Sequence, residues 1–385
     1  MRRSIYYLVI GILIASGIAI LMVVKKGGEA PPSSPQYIAP SKQERPKIVI
    51  RGTTYFVSPS GDDGRDGLSQ ASAFSTIQKG IETMLPGDGL ILADGTYFQD
   101  FMSVRDGTKE RPIIIKGSEK AVVHGSGERD KIAEIHHSYI VLNGFSIDGR
   151  GGDGSKEKQY RDKLIYAEGF EADHGITGLR ILDMHLMNAG GECVRIKHFA
   201  KQNEIAYNTI TRCGAYDFLF DAGGKNGEGI YIGTAPEQVQ KGKDGSRSVD
   251  ASDDNWIHDN TIDTQGNECV DIKEGSSGNL VENNSCTGQK DKESGGLDSR
   301  GNGNTFRKNE VFGSAGAGIR LGGDGEGDGM DNSVIENYLH HNRNGGIKIQ
   351  SHPQRQICGN IITDNKKDAL VGEYSEDNEN KASCL

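Results

Sequence analysis

The segment ECVDIK, beginning at residue 268, places Glu268, Asp271 and Lys273 in one short stretch, and GGLDSR, beginning at 295, repeats an acid and a base in the same frame as Asp298 and Arg300. On a strand alternate residues share a face, so Asp271 projects with Lys273 and Asp298 with Arg300. A lysine whose ammonium form is disfavoured by stacked like charges can act as a base near neutral pH, whereas an arginine stays charged and binds a carboxylate. Removal of the C5 proton of a uronic acid needs this pair. That proton is acidic only when the neighbouring carboxylate is neutralised by a cation or an arginine, and a placed base must then take it. The reactions that begin so are β-elimination of an acidic polysaccharide and epimerisation at C5.

Such residues must be stacked from separate segments, and the chain carries a repeat that does this. Copies begin ECVRIK at 192, EGIYIG at 228, ECVDIK at 268, GGLDSR at 295, AGIRLG at 317 and GGIKIQ at 345, each followed by a second strand ending in Asn. Those residues are Asn208, Asn260, Asn284, Asn309, Asn337 and Asn360, spaced 52, 24, 25, 28 and 23 apart, so the first interval holds one coil plus an insertion. A period in the twenties with alternating apolar residues and no Leu-x-x-Leu-x-Leu frame predicts an all-β, single-stranded, right-handed parallel β-helix. The Asn column reads as an internal hydrogen-bonded ladder at a turn.

Stacking in register gives columns about 4.8 Å apart. One holds Arg195, Tyr231, Asp271, Asp298, Arg320 and Lys348; the next holds Lys197, Gly233, Lys273, Arg300, Gly322 and Gln350. Glu192, Glu228 and Glu268 form a carboxylate ladder at the strand starts. Catalysis is assigned to Lys273 and Arg300, and substrate binding to Asp271, Asp298, Arg320 and Tyr231. A further column of Cys193, Gly229, Cys269, Gly296, Gly318 and Gly346 is small throughout, either the floor of a groove or a cramped bend.

Fifty-four glycines and 35% hydrophobic residues fit a narrow core stacked coil by coil better than a broad one. Residues 5–24 are uncharged and flanked by Arg2, Arg3, Lys25 and Lys26, long enough to span a bilayer. We expect an uncleaved transmembrane anchor at 1–26, a flexible stalk at 27–52, the β-helix at 53–372 outside the cytoplasm and a tail at 373–385, in a monomer. Cleavage of the N-terminal segment would instead make the protein secreted. Setting the four flanking cations aside takes the formal charge from -10 to -14, which argues against nucleic acid as a partner. The six cysteines have no zinc spacing and permit disulfides whose pairing nothing determines; Cys193 and Cys269, a coil apart and too far to bridge directly, read as small residues filling a crowded position.

At the entry, Thr54 to Val57 and Gly89 to Leu92 read as strands, and between them apolar residues from Ser75 to Met84 fall at helical spacing, a helix that would cap the first coil. This segment resembles the opening of many β-helix polysaccharide lyases and related secreted proteins of the pectate lyase-like superfamily. Residues 273–312, KEGSSGNLVENNSCTGQKDKESGGLDSRGNGNTFRKNEVF, are similar to the stretch of family 6 polysaccharide lyases, the chondroitinase B and alginate lyase group, that runs from Lys-Ser-x-x-Asn to Leu-x-Leu-Arg-x-Gly. The resemblance implies Lys273 as base, Arg300 beside the substrate, and calcium on an Asn and two Glu. Glu268 occupies one of those Glu positions, Gly266 replaces the other, and Glu228 or Asp271 would have to substitute by stacking. Glu274 follows Lys273 where the family has Ser.

Elsewhere, Asp324, Glu326, Asp328 and Asp331 lie in a Gly-rich stretch that lacks EF-hand order and reads as a mobile turn. His340 and His341, adjacent on a strand, point to opposite faces and read as surface, as do His136 and His137. Asp271 and Asp298 also satisfy loosely the carboxylate pair of a glycoside hydrolase. Three readings therefore stand: a membrane-anchored lyase or epimerase acting on acidic polysaccharide, a non-catalytic protein binding a glycan or another envelope component, and a glycosidase. The second is favoured if Lys273 and Arg300 are tied up by acids.

Overall fold

A computed structural model describes residues 45, 47–127, 129–169, 175–223, 226–240 and 249–384. The chain winds so that every strand pairs in parallel with the one a full turn later, forming three sheets of eleven, ten and ten strands among the described residues. The first sheet runs from Thr54–Val57 to Gln356–Cys358, the second from Gly95–Tyr97 to Ile361–Thr363 and the third from Phe101–Met102 to Leu370–Val371.

The corner between the first two sheets explains the Asn column. Immediately before Asn208, Asn260, Asn284, Asn309, Asn337 and Asn360 stand Tyr207, Asp259, Asn283, Lys308, Glu336 and Gly359, all with φ between 53° and 64°. This left-handed residue turns the chain and leaves the following Asn pointing inward. Each Asn side-chain amide then donates to the Oδ1 of the Asn one coil on, at 2.9 Å from Asn208 to Asn260 and from Asn260 to Asn284, and 3.1 Å from Asn284 to Asn309. The direct Asn208–Asn260 bond shows that the 52-residue interval is a single coil, whose extra length lies in loops after residues 213 and 233. A second ladder, Asn203–Asn255–Asn279–Asn304, runs beside the first with bonds of 2.9, 2.9 and 3.1 Å. Sequence reading passed over it.

Inward positions on the strands of the third sheet are apolar: Val194, Ile196, Ile230, Ile232, Val270, Ile272, Leu297 and Ile319 are fully buried. The helix Ile77–Thr83, capped by Thr76, covers the N-terminal end, with Ile77 and Ile81 in the core. The expected strands Thr54–Val57 and Gly89–Leu92 pair in parallel with each other.

Residues 5–24, expected to form the anchor, lie outside the described residues, among which no helix is long and apolar enough to cross a membrane. The last residues of the expected stalk do not hang free. Ile48 and Ile50 pack on an apolar patch of Ile114, Val141, Leu182, Ala206 and Tyr207 on the outer side of the first sheet. At the other end the tail closes the last coil: Asn380 continues the Asn360 ladder at 3.0 Å and Cys384 is bonded to Cys358.

All six cysteines are paired, Cys193–Cys213, Cys269–Cys286 and Cys358–Cys384. This corrects the reading of Cys193 and Cys269 as space-fillers, and neither is bonded to the other. Strand alternation had put Cys193 and Cys269 outside, but both precede their strands, in the bend, where the backbone turns them into the core. The small-residue column is cramped against the packed interior and is not a groove floor, although Gly296 and Gly318 lie within strands. A Cβ on Gly296 would meet Val311 Cγ1 at 2.4 Å, and one on Gly346 would meet Ile362 Cγ2 at 2.3 Å.

Candidate functional site

The outer face of the third sheet carries the predicted charged column in register. Arg195 pairs with Tyr231, Tyr231 with Asp271, Asp271 with Asp298, Asp298 with Arg320 and Arg320 with Lys348. Just past the strand ends, Lys273 N donates to Ile232 O and Arg300 N to Ile272 O, so those two side chains leave from adjacent coils.

Three carboxylates meet beside them. One oxygen from each of Glu228, Glu268 and Asp271 lies within 4.8 Å of the others, and all three groups are buried. Glu228 accepts from Gly227 N at 2.8 Å and from Asn267 Nδ2 at 3.4 Å, while Asp271 Oδ1 is buried without a hydrogen-bond partner. Burial, then the neighbouring charges of Glu192 and Asp271, push the Glu228 carboxyl up to about 7. Burial and the charges of Asp271 and Glu228 push Glu268 well above the ordinary range. Burial works in the same sense on Asp271, but Lys273 and Arg300 outweigh it and hold that carboxyl low.

Lys273 Nζ lies 2.7 Å from Asp271 Oδ2 and 4.7 Å from the Tyr231 ring centre. Burial disfavours its charge, yet Asp271 wins and the ammonium is stabilised. The sequence reading expects the opposite, giving stacked like charges more weight than the acid two residues back. Arg300 Nη1 contacts Asp324 Oδ1 at 3.0 Å and Glu274 Oε1 at 3.7 Å, and not Asp298. Asp298 is fully buried, accepting from Arg320 Nη1 at 2.9 Å and from Ser294 Oγ at 2.9 Å. Tyr231 is buried too, with Arg195 4.3 Å from its ring centre, and so separates cations more than it offers a surface. Lys163 Nζ and Arg195 Nη1 pair with Glu192 at 3.0 and 2.9 Å.

Glu274, in the sequence a departure from the family pattern at the position next to Lys273, belongs to the site. Its carboxylate is 3% exposed and neither oxygen has a hydrogen-bond partner. The stretch read as a mobile turn brings Asp324 onto Arg300. His340 and His341 do not point apart: His341 has φ 56°, which folds its ring back so that the two Nδ1 atoms are 2.7 Å apart.

The three carboxylates are hard oxygen donors at a spacing suited to a divalent cation such as calcium, and the unpartnered Asp271 oxygen is a ready ligand.

Residues 238–382 match the sequence profile of the right handed beta helix region. No curated protein sequence matches. Among solved structures, the fold is similar to that of an alginate lyase from Paenibacillus sp. str. FPU-7, 18% identical over 77% of this chain and 96% of that one, with a TM-score of 0.57. A pectate lyase is 13% identical over 82% of this chain and 79% of that one, with a TM-score of 0.56. A mannuronic acid specific family 6 lyase from human gut microbiota is 16% identical over 84% of each chain, with a TM-score of 0.52. The matched region and the winding of three parallel sheets make the chain a right-handed parallel β-helix, a fold similar to that of these lyases.

Proposed function

We propose that the protein acts on a uronic-acid polysaccharide as a cation-dependent lyase, from a position outside the cytoplasm. The observation that carries this reading is the meeting, on one face, of Glu228, Glu268 and Asp271 with Lys273 and Arg300. A calcium ion held by the three carboxylates would neutralise the substrate's carboxylate and the Asp271 charge that keeps Lys273 protonated. Lys273, having first released a proton to solvent, would take the C5 proton at Nζ as the C4–C5 double bond forms and the C4–O bond breaks, the departing oxygen taking its proton from water. Arg300, always charged, orients the substrate carboxylate through Nη1. The burial of Asp298 and Tyr231 gives them the task of fixing Arg320, Arg195 and Lys273 and not of touching sugar. Three disulfides suit an oxidising compartment and agree with an anchored or secreted β-helix. Alginate, pectate and glycosaminoglycans, each followed by ultraviolet absorbance with calcium or with chelator, test the reading; unsaturated ends formed only with calcium are the expected result.

A second reading, a glycan-binding surface without catalysis, is favoured by one observation. Lys273, Arg300 and Arg320 are each ion-paired to an acid, as a structural charge network would have them. Binding of the same polysaccharides without cleavage is what that reading expects.

A further inference from the structure

Arg300 presents one nitrogen, Nη1, to two carboxylates of opposite character. Asp324 Oδ1 is 3.0 Å away on a side chain that is 63% exposed. Glu274 Oε1 is 3.7 Å away on a side chain that is 3% exposed. Neither Glu274 oxygen has a hydrogen-bond partner, and Arg300 Nε is likewise buried without one. An anion so enclosed requires a counter-charge, and Arg300 is the cation in contact with it.

Asp324 stands on different ground. It sits in a loop with glycines at 322, 323, 325, 327 and 329, of which Gly327 and Gly329 have φ of 93° and 72°, and the loop's internal turn is closed by Asp328 Oδ2 accepting from Gly325 N at 2.9 Å. Its pairing with Arg300 is open to solvent on the Asp324 side, where such a pair contributes little. Another carboxylate can therefore replace it at small cost, and exchanging anion for anion never leaves the guanidinium uncompensated.

We infer that Asp324 is an exchangeable stand-in for a ligand carboxylate on Arg300, and that Glu274 is the positioning residue that keeps the guanidinium in place when Asp324 leaves. The ligand class is a carboxylate-bearing sugar unit, and that part rests on the polyuronate reading above. The exchange itself does not. It makes the free protein hold its carboxylate site filled by its own loop, so that affinity for an acidic sugar is set by competition with Asp324.

The test is the rate at which phenylglyoxal modifies Arg300 in the full chain, read by mass spectrometry of the peptide that contains it. Asp324→Asn, which removes charge at an exposed position, is expected to speed modification about two- to fivefold, the worth of an exposed ion pair. Acetate and oligomers of galacturonate and mannuronate are expected to protect the variant at lower concentrations than the wild type. Equal rates in wild type and D324N, or no protection by acetate, overturn the exchange. Faster modification with protection by acetate but by neither oligomer upholds the exchange and rejects the polyuronate substrate. Adding Glu274→Gln to D324N is expected to abolish acetate protection and Glu274→Asp to retain it; undiminished protection in the Gln variant rejects the positioning role.

Discussion

Lys273 Nζ sits 2.7 Å from Asp271 Oδ2, and the same Asp271 shares a buried space with Glu228 and Glu268. One acid thus serves both the lysine and the acidic group, which couples the lysine's proton to whatever the carboxylates hold.

Lys273→Met removes the ammonium and leaves Asp271 with less counter-charge in a buried site. We expect a loss of stability on the order of 3–5 kcal/mol in urea unfolding, with part recovered in excess calcium. An unfolding midpoint equal to that of the wild type would mean that the pair is energetically idle.

The acidic group also sets a pH dependence. Glu228 titrates at about 7 in the folded protein against a reference of 4.5, and Glu268 is raised in the same direction. The folded state therefore binds more protons than the unfolded state between these values, and in chelator stability falls as pH rises from about 4.5 through about 7. Asp271 is shifted the other way, below its reference of 3.8, so its contribution changes only at more acid pH. Calcium is expected to flatten or reverse the fall, since it replaces those protons, and its affinity weakens as pH drops. Urea titrations at pH 5, 6, 7 and 8, with chelator and with calcium, read this directly; stability that rises with pH in chelator contradicts it.

Strand positions were legible because alternation and stacking are local: the column from Arg195 to Lys348 was read from sequence and pairs in the expected register. The acidic group was foreseen through Glu228, Glu268 and Asp271, whose stacking follows from the coil length. What failed lay outside the strands. Cys193, Cys269 and His341 are placed by bends and left-handed residues, where period-two alternation ceases to hold. Lys273's raised basicity and the Arg300–Asp324 contact depend on side-chain reach, which spacing does not report.

The Cys269–Cys286 bond lies behind the strand that carries Asp271 and encloses a 17-residue separation. Replacing both cysteines with Ala is expected to lower stability by about 2–4 kcal/mol and to weaken calcium binding by loosening Glu268. Calorimetric calcium titration alongside denaturation checks both. Calcium affinity equal to that of the wild type would uncouple the bond from the site.

Asn284 receives two bonds from Asn260 and donates to Asn309 Oδ1 and Ile257 O. Asn284→Ala leaves several of these buried groups unpaired, at roughly 1–3 kcal/mol each. We expect a substantially destabilised but still folded chain by circular dichroism, with urea midpoint well below that of the wild type. A loss below about 1 kcal/mol would show that the ladder is dispensable at this rung.

The central claim is that Lys273, beside the Glu228, Glu268 and Asp271 group, removes a proton from a uronate. The direct measurement is absorbance of unsaturated ends during incubation of wild type and Lys273→Ala with alginate, pectate and glycosaminoglycans in calcium. A rise with at least one of these polymers, abolished by Lys273→Ala, is the predicted result. A rise that persists in Lys273→Ala, or a flat trace for the wild type on every polymer, contradicts it.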